Sequence, residues 1–355
     1  MPPSPPLATL LSQPLVAFTI EFDNVAEERI TAAGRRPWIA SLAMWADYLR
    51  HVGEDGIPAR ELRSRAFVSA KTLRSRLGAL SRWRYVTVGL DEVVRLTPAG
   101  RRARVVWLAL AAEIEARWCE RFGCDRVEEL RGALAPVLAD AGHGLPAALP
   151  IVAYALFSEV VPGPGPVARE PLPDLDVSVL LARALLVLTL EFERDSRLSL
   201  PMCADGLRVL GSEPVRVRDL PRAGGGSKEA MAIIAGHLAR VKLAAVEPDP
   251  GAARGKVVRL TARGLAARAA YARRLAGVEE HLRERIGAAA VDRLRQALEA
   301  LLADPAFADG LVPPAGGWRG QPPYLAHTER LIADPRGALP HQPLMLHRGG
   351  FPDGA

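Results

Sequence analysis

The sequence predicts a mainly α-helical protein with small β-hairpins, in which one domain occurs twice. The main observation is an internal repeat of domain size, and such a repeat sets the domain count before any other feature. Three segments recur in the same order, each with at least seven identical positions: 41–53 as 199–211, 93–104 as 257–268, and 130–140 as 294–304. A weaker match joins 15–24 to 185–194. Because 355 residues suffice for two domains of ordinary size, we expect two homologous domains rather than a solenoid.

Local patterns in the first copy predict each of its helices and strands. Ser69 is a good N-cap for a helix whose apolar positions are Leu73, Leu77 and Leu80. Two β-branched runs across a short turn predict a hairpin. Thr97 and Pro98 suit the start of a long helix. The predicted elements are helices at 15–29, 38–52, 59–65 and from Ser69 onward, strands at 85–88 and 93–96, and helices from Thr97 to about 122 and at 127–138.

The domain boundaries follow from the repeat and from the Pro- and Gly-rich segments around it. The predicted parts are a disordered arm at 1–14, a first domain at 15–140, a linker at 141–183, a second domain at 184–304 and a C-terminal extension at 305–355. The sequence does not indicate a fold for the extension.

The order helix, helix, short helix, longer helix, hairpin, long helix is that of a winged helix-turn-helix domain. Both copies resemble the MarR family of bacterial regulators, whose hairpin runs into a Leu-Thr-x-x-Gly step at the start of a long helix. That step is Leu96 to Gly100 in the first copy and Leu260 to Gly264 in the second. The resemblance implies a bacterial transcriptional regulator that binds double-stranded DNA. Since such proteins are usually homodimers, two fused copies imply an intramolecular pseudo-dimer, with further self-association left open.

In a winged helix-turn-helix protein, the exposed face of the recognition helix meets the major groove. We therefore expect DNA contacts from polar and basic residues on that face and its flanks. In the first copy these are Ser69, Lys71, Thr72, Arg74, Ser75 and Arg82, and in the second they are Lys228 and Arg240.

The two copies also differ in ways that predict unequal roles. Glu229 stands where the first copy has Lys71, and Ile233 stands where it has Ser75. The second wing is six residues longer and carries Arg254 and Lys256. Further wing contacts come from the resemblance alone, which implies a minor-groove role for Arg95 and Arg259. An alternative is that one copy has lost DNA binding and serves only as a dimer body.

Composition predicts a cytoplasmic protein, and its charge permits an acidic partner. The chain has 46 Lys and Arg against 40 Asp and Glu, and its net charge of +6 is compatible with nucleic acid without being diagnostic. Three cysteines without metal spacing, and an N-terminus without a basic leader, indicate a reducing compartment and no metal cofactor. The apolar stretch 177–190 contains Arg183, so we expect a buried helix and no membrane partner.

The resemblance also implies a small aromatic effector, for which Trp45, Tyr48, Trp83 and Trp107 are the pocket candidates; the alternative is that these rings belong to the core. Cys119 and Cys124 form a redox pair only if the helix between them ends at Gly123.

We expect no enzymatic activity. The run from Gly224 to Lys228 lacks P-loop spacing, and the Gln-x-Gln motif of tandem winged-helix DNA glycosylases is missing. The main alternative to a regulator is a protein-interaction or architectural module, in which the winged helices dock on protein or bind DNA without sequence preference.

Overall fold

The protein is mainly helical, with two small antiparallel sheets. The computed structural model describes residues 4–32, 42, 48–66, 68, 70–141, 145, 175–252, 254–322 and 324–343. The predicted helix at 38–52 lies largely outside these residues, which describe only Leu42 and the end of that segment, where Leu49–His51 forms a 3₁₀ turn.

The first half contains a long first helix, a small lobe and two further helices. Its elements are α1 (Leu7–Ala32), β1 (Ile57–Pro58), α2 (Ala59–Ala66), α3 (Ala70–Arg82), β2 (Val86–Val88), β3 (Val93–Leu96), α4 (Pro98–Phe122) and α5 (Cys124–Asp140). Residues 57–104, which hold the sheet, α2, α3 and the start of α4, are called the first lobe.

The second half repeats this order. Its elements are α6 (Val177–Glu193), a short helix and π-turn (Leu200–Met202 and Cys203–Leu207), β4 (Val215–Arg216), a 3₁₀ turn (Val217–Asp219), α7 (Leu220–Gly224), α8 (Lys228–Arg240), β5 (Ala244–Pro248), β6 (Lys256–Leu260), α9 (Ala262–Ile286) and α10 (Ala288–Ala303). Residues 215–268 are called the second lobe.

The two sheets have the same topology. Their strand orders are β1-β3-β2 and β4-β6-β5, and every pairing is antiparallel. Val94 of β3 pairs with Ile57 on one side and Val88 on the other. Val258 of β6 pairs in the same way with Val215 and Val246. The predicted hairpins are therefore present, each with a third strand added from the segment before α2 or α7.

The Leu-Thr-x-x-Gly step fixes each hairpin to the helix that follows. The Thr97 hydroxyl accepts the Gly100 N–H at 3.0 Å, as an N-cap does, and also donates to the Arg84 carbonyl. A side chain at Gly100 would collide with the carbonyl oxygen of Tyr85. Thr261 and Gly264 repeat these contacts with Lys242 and Leu243. The step therefore needs a glycine because two backbone segments meet there.

The core joins the two halves. Helix α1 packs on its counterpart α6, and α5 packs on its counterpart α10. In addition, α5 contacts α6 while α10 contacts α1, so each half covers the first helix of the other. Within the halves, α1 packs on α4 and α6 packs on α9. The contacts are therefore exchanged between the halves in the manner of a two-fold axis.

One Glu–Arg pair of each half holds the first turn of the other half's first helix. Arg131 Nε lies 2.9 Å from Glu115 Oε1, and Arg131 Nη1 donates to the Leu175 carbonyl at 2.8 Å. The other Glu115 oxygen accepts the Val177 N–H at 3.1 Å. A carboxylate at this place is favourable because the N-terminal N–H groups of a helix lack partners within the helix.

The repeat-related residues make the reciprocal contacts. Arg295 pairs with Glu279 at 2.6 Å and donates to the Pro5 carbonyl at 2.7 Å. Glu279 accepts the Leu7 N–H at 2.6 Å. We call these two arrangements the clamps.

Two predicted boundaries need correction, and the extension, for which the sequence indicated no fold, has defined elements. The disordered arm at 1–14 is wrong for residues 7–14, which form the first turns of α1 because Leu7, Leu10 and Leu11 are buried. The linker at 141–183 ends earlier, since α6 begins at Val177. The extension has structure: 3₁₀ turns at Pro305–Leu311 and Trp318–Gly320, α11 (Leu325–Ala333) and α12 (Pro335–Ala338).

Replacing Arg131 with Ala is expected to lower the free energy of unfolding by about 1–3 kcal/mol, because Glu115 then stays without its partner in a largely buried position. Both side chains are only 17% exposed. Urea unfolding measures the loss. Arg65→Ala is the control, since its partner Glu61 lies on an exposed helix surface, and this change should cost less than about 0.5 kcal/mol. Equal losses in the two variants would contradict a special role for the clamp.

Candidate nucleic-acid interface

Helix α3 packs one face into the first lobe and exposes the other. The predicted apolar positions Leu73, Leu77 and Leu80 are buried. The exposed side carries four of the residues expected there: Lys71, Arg74, Ser75 and Arg82. This surface offers three cations and a hydroxyl, the groups that proteins use to bind phosphates and base edges.

One expected contact of the first lobe is not on this surface, and another lies outside the described residues. Thr72 is only 8% exposed and lies at the edge of the packed face of α3. The prediction that Thr72 contacts DNA is therefore wrong. Ser69 lies outside the described residues. Its counterpart Ser227 is described: its hydroxyl accepts the Ala230 N–H at 3.1 Å and caps α8.

Helix α8 of the second lobe presents a different surface. Lys228 and Arg240 are exposed at its two ends, while Glu229 and Ile233 between them are half-buried. Arg240 lies 3.1 Å from His237, and burial together with Arg240 lowers the pKa of that histidine. The exposed residues between the two ends are Ala232 and Gly236, which have no polar side chain. Helix α8 therefore has few polar groups for base contacts.

The hairpins of β2 with β3 and of β5 with β6 are called the first and second wings. The first wing is short and has no cation at its tip. Leu90 is fully exposed there, beside Asp91. Arg95 pairs with Asp91 at 2.6 Å, and this hydrogen bond lowers the pKa of Asp91 to about 2. A partner carboxylate therefore already holds the guanidinium that the resemblance assigns to the minor groove.

The second wing is longer and more basic. Arg254 and Lys256 are exposed at and beside its tip. The turn is anchored by Asp249, which pairs with Arg216 at 2.9 Å and accepts the Gly251 N–H at 2.9 Å. Arg259 pairs with Glu247 at 2.9 Å, as Arg95 pairs with Asp91 in the first wing.

The positive charge of the chain is concentrated in the lobes. Residues 57–104 contain 12 Lys and Arg and three Asp and Glu, and residues 215–268 contain 11 and four. The lobes therefore carry +9 and +7, while the remaining residues sum to −10 and give the chain its net +6. The small net charge of the chain hides this division, which becomes visible when charges are counted over the repeated segments.

The three aromatic pocket candidates that the structure describes pack as core residues. Trp107 is completely buried and meets the Tyr85 ring edge-on at 5.4 Å. Tyr48 is buried and Trp83 packs against the core, while Trp45 lies outside the described residues. A cleft of about 570 Å³ lies elsewhere, between α1, α4 and the extension, and its lining combines polar side chains such as Glu21 and Arg121 with apolar ones such as Val25.

The two neighbouring cysteines meet across the end of α4. The helix ends at Phe122, and Gly123 has a φ of 92°, so the chain turns between Cys119 and Cys124 as a pairing requires. The hydrogen bond that the Cys119 thiol donates to Cys124, together with burial, raises the pKa of Cys119 to about 11. Because the thiolate is the reactive form, this shift lowers the reactivity of Cys119 as a redox sensor.

No family model, curated protein or solved structure matches this chain. Within the described residues, no helix is both long and apolar enough to cross a membrane.

The sequence did not predict a buried carboxylate beneath the second lobe. Asp205 lies in the π-turn and accepts the backbone N–H groups of His341 and Gln342 at 3.0 and 3.3 Å. Burial raises the pKa of Asp205 from 3.8 to about 8, against the opposing effect of Arg208. Burial and Arg208 lower the pKa of His341 to about 3. The only sequence signal is Asp47, which matches Asp205 in the repeat.

The pKa values of Asp205 and His341 predict how stability changes with pH. Between pH 3.8 and 8 folded Asp205 keeps a proton that the unfolded chain releases, so its contribution falls as pH rises. Folded His341 lacks a proton that the unfolded chain binds below pH 6.5, so its contribution rises with pH and offsets the loss there. From pH 6.5 to 8 we expect a net loss of about 1 kcal/mol per pH unit.

Asp205→Asn should remove this loss, because an amide has no proton to release in that range. Thermal or urea unfolding from pH 6.5 to 8 measures it for both proteins. Equal slopes in the wild type and the variant would show that Asp205 is already charged in the folded state.

Proposed function

We propose that the chain is a cytoplasmic DNA-binding transcriptional regulator. Its two winged helix-turn-helix domains of the MarR type form one intramolecular pseudo-dimer. The observation that carries the proposal is the charge of +9 and +7 on the two lobes, against −10 on the rest of the chain. Binding to DNA draws its affinity largely from Lys and Arg placed against phosphates. Repulsion between phosphates and the acidic remainder of the chain would orient the basic lobes toward the duplex.

The pseudo-dimer is supported by the exchanged packing of the halves. Each clamp joins a Glu–Arg pair of one half to the first helix of the other, and the repeat relates the two sets of residues. A family that binds DNA as a dimer needs two lobes at a fixed separation. In this proposal one chain supplies both lobes.

The lobes have unequal roles in this proposal. Helix α3 exposes Lys71, Arg74 and Ser75 and is the better candidate for base contacts. The second lobe presents cations on its wing, through Arg254 and Lys256, where contacts with phosphates and the minor groove predominate. We therefore expect a site that is not a true palindrome.

A second candidate function is DNA binding without sequence preference, as an architectural module. The observation that favours it is the face of α8, where Glu229 and Ile233 replace a cation and a hydroxyl. Binding to a site selected from random duplexes, in the presence of scrambled competitor, separates the two functions. A regulator keeps its preference under competition, whereas an architectural module loses it.

Replacing Lys71, Arg74 and Arg82 with Ala should weaken DNA binding and flatten its dependence on log salt by about 2–3, since each phosphate contact contributes a slope of about −0.9. Fluorescence anisotropy over a salt series measures the slope. The control replaces Arg194, Arg197 and Arg273, which are exposed on the body outside both lobes. It removes the same charge, and its slope should change little. Equal flattening by both triple variants would contradict a contact through α3.

The two lobes should respond differently to substitution. Arg254→Ala with Lys256→Ala is expected to reduce affinity about equally on all sequences, because phosphate contacts carry no sequence information. Ser75→Ala should instead change the preferred base pair at one position, by about 1–3 kcal/mol. Ile233→Ser should alter neither quantity. Competition binding on a library of single-base variants measures all three, and a changed base preference in Ile233→Ser would show that α8 also reads sequence.

A further inference from the structure

The C-terminal extension runs from the first half back to the second lobe. Near its start, Phe307 stacks on Phe122 of α4 at 6.4 Å, and Asn24 of α1 donates to the carbonyls of Gly310 and Val312 at 3.2 and 3.0 Å. Further on, Arg319 is completely buried and donates to Asn24 Oδ1. This part of the extension is therefore fixed to α1 and α4.

The end of the extension, residues 334–342, is called the strap. It contacts both halves at once. On α1, Gln13 donates to the Arg336 carbonyl at 2.7 Å and Ser12 donates to the Pro340 carbonyl at 3.1 Å. On the second half, Gln342 donates to the Thr189 hydroxyl of α6 at 3.0 Å. These groups are largely buried, and buried polar groups need hydrogen-bond partners. Release of the strap would therefore leave them unpaired, which favours the docked position.

The strap also presses on the turn that leads into α8. A Cβ at Gly225 would lie 2.7 Å from the carbonyl oxygens of Ala338 and Leu339, so only a glycine allows this approach. Gly225 has a φ of 75°, which also favours glycine. Two residues later, Ser227 caps α8. The strap therefore contacts the backbone next to the start of the second recognition helix.

The first lobe differs in sequence at the same place. The repeat offset of 158 matches Gly225 with Phe67, which lies outside the described residues. A phenylalanine at Gly225 could not coexist with a backbone packed at 2.7 Å from its Cβ. The Gly224-Gly225-Gly226 run, which superficially suggests a phosphate loop, thus has a packing explanation that applies to the second lobe.

We propose that the strap is a positioning element: it fixes the second recognition helix against α1 and so sets its placement relative to the first. Its docking stands on the contacts above, whereas its effect on DNA rests on the proposed function. Gly225 is the contact point between the two, because the strap packs against it in the turn before α8.

Gly225→Ala tests the docking directly, because the added methyl group must displace the strap. Gly316→Ala is the matched control: its φ is 79°, close to that of Gly225, but nothing lies within 4 Å of its Cβ. We expect hydrogen exchange of residues 334–342 to accelerate at least about tenfold in Gly225→Ala and to stay unchanged in Gly316→Ala. Equal protection in both variants would overturn the docking.

A second variant keeps the test independent of backbone strain at Gly225. Ser12→Ala with Gln342→Ala removes two side-chain anchors and leaves the lobe itself unchanged. Spin labels on the two lobes, introduced as non-natural residues at Ser75 and Ala232, report their separation. Both variants should broaden the distance distribution, and Gly316→Ala should not. A narrow distribution with the strap released would overturn the positioning role.

DNA binding then separates this proposal from the proposed function. Duplexes with one to five base pairs inserted between the half-sites of a selected site should lose at least about tenfold in affinity for the wild type, and less than about threefold for Gly225→Ala. The salt slope should stay the same, since no cation changes. Absence of specific binding by the wild type itself would contradict the proposed function. The exchange and distance measurements would still show whether the strap is docked and positions the lobe.

Discussion

The fold depends on the burial of two helices that are apolar on almost every side. Helix α6 buries all but two of its 17 residues, and α1 is buried from Leu7 to Glu27. A helix of this kind must be surrounded by other elements. Neither half has enough partners of its own, so α1 and α6 pack together and each is covered by the closing helix of the other half. The clamps add partners for the first N–H groups of each helix and define where it begins.

This shared body determines what the lobes can do. The residues outside the lobes carry the negative charge and the lobes carry the positive charge, so each half of the molecule has one basic lobe. The halves have the same order of elements, yet their exposed residues differ in sign and in size. The strap adds a second asymmetry, because it crosses from α1 to the turn before α8. A duplicated chain can therefore give its two lobes different surfaces without a change in fold.

The repeat made much of the fold predictable from sequence. The hairpins, the short and long helices and the N-cap at Thr97 lie where local patterns placed them, because capping, β-branched runs and helical periodicity act within a few residues. Local patterns could not show that residues 7–14 are helical, since their burial depends on the other half. The same holds for the strap, whose contacts join residues more than 100 positions apart, such as Asp205 and His341.

For the candidate site, sequence reasoning located the exposed face of α3 but misjudged its edge. Lys71 and Ser75 are exposed as the helical wheel requires, whereas Thr72 is buried because the packed face is wider than three leucines. Sequence reasoning also did not predict the pairing of Arg95 with Asp91, because that contact depends on the geometry of a tight wing. Charge division between lobes and body was present in the sequence and needed only the repeat alignment to become visible.

The most direct test of the central claim is the stoichiometry of the complex with a selected duplex, measured by native mass spectrometry together with footprinting. If one chain supplies both lobes, a single 38.1 kDa chain should bind each duplex. It should protect two half-sites about one helical turn apart, roughly 10 base pairs from centre to centre. Two chains per duplex, each protecting a single half-site, would contradict an intramolecular pseudo-dimer.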